Sequence, residues 1–128
     1  MPVVTMDARE LLAAAYSRFN ARDLEGVLQL MHTDVDWPNG MEGGRVHGHQ
    51  GVRDYWTRQW RMMDPHVEPV GFATNEAGDT VVSVQQVVRD LEGKVLVDQM
   101  VTHVYNLEDG LIRRMEIREI EIRDGEEE

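Results

Sequence analysis

Residues 80–112 read TVVSVQQVVRDLEGKVLVDQMVTHVYNLEDGLI, and this stretch decides the fold. Apolar residues recur with a period of two, which is strand alternation. Asp90-Leu91-Glu92-Gly93 and Glu108-Asp109-Gly110 interrupt it as turn signals. The period of two begins at His66, so the expected strands are Val67 to Thr74, Thr80 to Arg89, Val95 to Leu107 and Leu111 to Arg123. They form a hairpin-connected meander. In the last strand the apolar phase slips between Ile117 and Ile120, which predicts a bulge or bend. Alternation along the third strand puts Val97, Gln99, Val101, His103 and Tyr105 on one face.

Upstream of His66 the period is helical. Leu11, Leu12, Ala15, Tyr16 and Phe19 mark a first helix, with Asp7 or Thr5 as its cap. A short second helix from about Asp23 carries Leu24, Val27, Leu28 and Met31. The chain is extended through Val35-Asp36-Trp37, then turns at Pro38-Asn39-Gly40 and Glu42-Gly43-Gly44. A third helix after Gly48 lines up Val52, Tyr55, Trp56, Gln59, Trp60 and Met63, and Asp64-Pro65 ends it. Three helices cannot cover both faces of a long meander. The sheet is therefore expected to curl around them, leaving its outer face to solvent or a second subunit and enclosing a pocket.

Bulk composition narrows the function. A chain of 128 residues suits one domain, here residues 1–123 followed by an acidic tail over 124–128. No cysteine is present, which excludes a disulfide framework, a thiolate zinc site and a cysteine nucleophile. The formal net charge of −11 repels phosphate backbones and anionic bilayers, so neither nucleic acid nor membrane is an expected partner. The N-terminal residues lack a basic stretch followed by an apolar run, and no window approaches the roughly 20 apolar residues of a membrane span. A cytoplasmic location is expected. Lys94 is the single lysine and falls in a turn, which leaves Schiff-base chemistry little support.

The order of these elements, and three short motifs, resemble the NTF2-like superfamily, which includes the SnoaL-like polyketide cyclases and the ketosteroid isomerases. Tyr16 to Glu25 is similar to its first-helix signature, Val46 to Arg53 to its third-helix entry, and Leu107 to Ile112 to its last hairpin. The resemblance implies an α+β, cone-shaped barrel: three N-terminal helices packed in a curved, mostly antiparallel sheet. It also implies an apolar pocket and a homodimer through the outer sheet face. This fold hosts isomerases, cyclases, dehydratases and non-catalytic proteins, so reaction must be argued from the pocket.

Residue by residue, the isomerase machinery is not carried over. Its tyrosine aligns best with Ala15, with Tyr16 beside it; its general base aligns with Trp37 or Asn39; its oxyanion-stabilising acid aligns with His103. In the SnoaL-like cyclases a catalytic aspartate occupies the place that His103 fills. His103 is thus the candidate catalytic residue, since an imidazole can move a proton near neutral pH. The alternative is a core histidine that simply hydrogen-bonds a tyrosine or a carbonyl. Tyr16, Trp37, Asn39, Trp56, Trp60, Gln99 and Tyr105 are the candidate substrate-binding residues, with the aromatics suited to a flat, hydrophobic ligand. His47-Gly48-His49 is the one place to test for a metal, but it lacks a clear third ligand. No metal and no cofactor is expected. The partner is a small apolar ligand or substrate, and acid-base catalysis and non-catalytic binding both remain open.

Overall fold

The first described helix starts where the chemistry of its cap places it. In a computed structural model that describes residues 7–119, the Asp7 side chain accepts from the Glu10 amide, and the Glu10 side chain accepts from the Asp7 amide. This reciprocal box satisfies two amides that the first turn would otherwise leave orphaned. Helix α1 runs Ala8–Asn20 and α2 runs Leu24–Leu28, capped by the Asp23 side chain on the Gly26 amide. Between them Arg22 takes φ 64°, a left-handed turn that re-aims the chain.

Strand β1 is Met31–Pro38, β2 is Arg45–His47, α3 is Gly48–Met62, and β3 to β6 are Asp64–Thr74, Thr80–Arg89, Val95–Glu108 and Leu111–Glu119. Gly48 enters α3 at φ 72°, and a Cβ there would sit 3.4 Å from the Thr33 carbonyl oxygen, so the strand-to-helix turn uses glycine. The sheet order is β2-β1-β6-β5-β4-β3. All neighbours are antiparallel except β1 and β6, which run parallel.

Two expectations are corrected here. The helices do not all precede the sheet, because α3 follows the β1–β2 hairpin. Among the described residues the sheet also has six strands rather than a four-stranded meander, since β1 joins it beside β6 through a non-local parallel pairing and brings β2 with it. The register irregularity of β6 falls opposite Asn106 and Leu107. Ile120, the rest of the expected strand to Arg123, and the 124–128 tail lie outside the described residues.

Helix α3 touches β1 and β2 at one end of the sheet and β3 at the other. At about 4.8 Å per strand, β1 and β3 would be roughly 19 Å apart in a flat sheet. Side chains of β1, β6, β5, β4 and β3 nevertheless line one common cavity with α1 and α3, so the sheet curls toward the helices. The concave face holds the core: Leu12, Val35, Val52, Val82, Val84 and Ile112 are fully buried. Each such side chain stabilises the fold by about 1.5–3 kcal/mol of removed apolar surface. No helix among the described residues is long and apolar enough to cross a membrane.

Candidate functional site

The core does not fill the concavity. A cavity of about 510 Å³ remains between α1, α3 and the sheet. Its walls are largely hydrocarbon and aromatic. Tyr105 and Trp37 have ring centroids 6.3 Å apart, Trp37 meets Trp56 edge-on at 5.4 Å, and Trp56 meets Phe19 at 5.1 Å. Among the described residues, none that lines it is Asp, Glu, Lys or Arg. A formally uncharged wall of this kind favours uncharged ligands, because a buried ion without a partner is costly.

Strand β5 supplies the polar end. His103 pairs across the sheet with Val82 and Ile117 and is 5% exposed. The Tyr105 hydroxyl donates to the Tyr16 hydroxyl at 2.8 Å, and the Tyr16 hydroxyl lies 2.7 Å from His103 Nδ1. A hydroxyl has one proton to give. Having accepted from Tyr105, Tyr16 donates to Nδ1, and the neutral ring then carries its proton on Nε2. Nε2 has no hydrogen bond to the described residues and, unlike Trp60 Nε1, is not sealed from solvent-sized space. The free Nε2–H edge therefore belongs to the cavity that His103 lines.

Burial also sets the protonation states. It lowers the His103 pKa from 6.5 to about 4, so the ring is neutral at pH 7. Burial raises both phenols well above their ordinary range; for Tyr16 the neighbouring Tyr105 adds to the effect. The relay is thus three neutral groups with one donor pointing outward. This differs from the expectation of a histidine titrating near neutrality, because burial at 5% exposure withdraws the imidazolium from bulk solvent.

Of the residues singled out from sequence, Tyr16, Trp37, Trp56, His103 and Tyr105 line this cavity together. Asn39, Trp60 and Gln99 do not. Asn39 folds its own turn, accepting from the Met41 and Glu42 amides and donating to Glu42. Trp60 stacks on Trp56 at 5.8 Å and lies under the Arg22 guanidinium, 5.1 Å from its ring centroid. Gln99 is exposed on the first half of β5 and donates to Gln86. Three polar lining residues were not singled out as ligand contacts: Tyr55, Gln59 and Gln86. The available signal was a glutamine standing in the apolar phase of α3 and another in that of β4.

The histidine pair is not a metal centre here. His49 Nε2 donates to the Met31 carbonyl at 2.9 Å, and His47 serves as the backbone N-cap of α3. Among the described residues, the cluster with ligand-like spacing is His32, Glu108 and Asp109. His32 Nδ1 accepts from the Asp34 amide, so the neutral ring carries its proton on Nε2, toward Glu108. That leaves no ring lone pair for a cation.

A curled sheet, three helices and an apolar cavity open on one side define the class: a protein of NTF2-like architecture. The SnoaL-like domain family matches residues 12–115, and the chain belongs to that family. TerC, crystallised with polyporic acid, is 29% identical with a TM-score of 0.75, covering 88% of this chain and 90% of its own. An NTF2-like protein of unknown function from Burkholderia pseudomallei is 26% identical with a TM-score of 0.75, covering 88% and 89%. A Mycobacterium tuberculosis protein, solved in complex with estradiol-17beta-hemisuccinate, shares the fold at 20% identity and a TM-score of 0.71, covering 84% and 89%. No curated protein matches the sequence.

Proposed function

We propose that this protein binds a small, uncharged, apolar cyclic compound through a carbonyl oxygen, and polarises that carbonyl with His103 Nε2–H. The observation that carries the reading is a buried hydrogen-bonded chain of Tyr105, Tyr16 and His103 beside a cavity whose described lining residues bear no formal charge; with Tyr105 as first donor, the imidazole proton falls on Nε2. Small-molecule binding is also supported by TerC, the 29% identical relative crystallised with polyporic acid.

The relay suits hydrogen bonding better than net proton donation. Giving up the Nε2 proton would draw protons along the chain and leave a buried phenolate on Tyr105, whose pKa burial raises. A neutral imidazole instead acts as an electrophile, stabilising negative charge that develops on the ligand oxygen. Reactions of isomerase, cyclase or dehydratase type draw on such stabilisation. His103 is the catalytic residue of this reading, with Trp37, Trp56 and the ring of Tyr16 positioning the substrate.

A second reading is non-catalytic binding. What favours it is that the lining residues carry no carboxylate and that the His103 ring is a weak base. The two share a first test. Benzophenone should bind the native protein, and His103→Leu should weaken binding about tenfold, as loss of one buried hydrogen bond implies. Equal affinity by calorimetry would remove His103 from either reading.

The outer sheet face is proposed to meet a second copy. Met100 on that face is 41% exposed and Val81 is half-buried, whereas Val104, paired with Val81, is already covered within the chain. A monomer mass by light scattering at micromolar concentration would refute this.

A further inference from the structure

The cavity has a second polar group, carried by α3 and joined to the relay by no hydrogen bond. Tyr55 is 4% exposed, and its hydroxyl oxygen accepts from the Gly40 amide at 3.0 Å. Gln59, one helical turn on, donates to the same oxygen through a long 3.4 Å contact. The Tyr55 proton has no acceptor among the described residues, and Gln59 Oε1 has no donor. Burial raises the Tyr55 pKa, so the proton stays on the phenol. Both side chains line the cavity.

An unspent donor beside an unspent acceptor, in an otherwise greasy wall, is a place where one ligand group can complete both. A hydroxyl is the group that does both at once: it accepts from Tyr55 and donates to Gln59. A carboxylate is a poor match, because no lining side chain among the described residues is cationic. We infer that Tyr55 and Gln59 form a hydroxyl-reading subsite, so that the ligand is an uncharged cyclic ketone bearing a hydroxyl away from its carbonyl. This rests on the carbonyl reading of His103 and narrows it.

Three probes separate the two claims: benzophenone, para-hydroxybenzophenone and para-carboxybenzophenone, each titrated by quenching of tryptophan fluorescence. In the native protein the hydroxyl should tighten binding about tenfold over benzophenone, the worth of one to two buried hydrogen bonds. Tyr55→Phe should shrink that gain to about twofold or less, leaving benzophenone itself unchanged. Gln59→Met, which touches no backbone contact, should remove part of it and guards against a packing defect in Tyr55→Phe. The carboxylate should bind more weakly than either neutral compound. A hydroxyl that brings no gain, or a gain that survives both substitutions, overturns the subsite while the His103 reading stands. A carboxylate that binds as well as the phenol overturns the charge argument. Benzophenone binding that is absent, or indifferent to His103→Leu, overturns the carbonyl reading and this inference with it.

Discussion

The two halves of β5 have the same alternation and opposite fates. Val101, His103 and Tyr105 are 2%, 5% and 2% exposed, whereas Val97, on the same face and the same strand, is 36% exposed and Gln99 lies open beside it. The difference is coverage. The later half faces α1 through the Tyr16 contacts and is flanked by β6, whose described pairing with β5 begins at Val101. The earlier half is paired with β4 alone among the described residues. Alternation decides which way a side chain points, and tertiary cover decides whether pointing inward means burial.

The sharpest way to break this comparison is one substitution made in both halves. Val101→Asp places an unpaired carboxylate in the core and should cost about 4 kcal/mol or prevent folding, whereas Val97→Asp should cost about 1 kcal/mol or less. Urea denaturation of the two variants measures the gap; similar losses would mean that the halves are not differently covered.

A smaller effect concerns the buried half alone. Because His103 has its pKa lowered to about 4, the unfolded chain takes up a proton on this ring first as pH falls. The stability it contributes is complete above about pH 6.5 and is lost as pH drops through 4, an effect of about 3 kcal/mol at most. His103→Phe should flatten the native protein's stability profile over that window, leaving the carboxylate-driven fall at lower pH. Parallel profiles for the two proteins would show that His103 is not held neutral by the fold.

What sequence could show follows the same division. The limits of β3 to β5, the Asp7 cap and the glycine entry to α3 are local properties, and they were legible to within a few residues, whereas β2 was not expected and Met31, read as helical, begins β1. The parallel β1–β6 pairing was not, since it joins segments whose contact depends on the whole sheet. His103 was legible as an inward-facing group in an apolar phase. Its partner lies 87 residues away, so neither the tautomer nor the depressed pKa could be read from the strand. Gln99 shared the right face but not the cover, and Asn39 had the right neighbourhood but spends its amide on its own turn. Tyr55 was visible as one of the aromatics that could line the pocket, and Gln59 only as a member of a helical stripe.

The central claim is that a neutral, correctly oriented Nε2–H polarises a ligand carbonyl, and the carbonyl stretch of bound benzophenone reports this directly. Infrared difference spectra should show the band shifted to lower frequency in the native protein than in an apolar solvent. The shift should vanish in His103→Leu and broaden or shrink in Tyr16→Phe, where the ring loses the donor that fixes its tautomer. An unshifted band in the native protein, or one that persists after His103→Leu, contradicts the account.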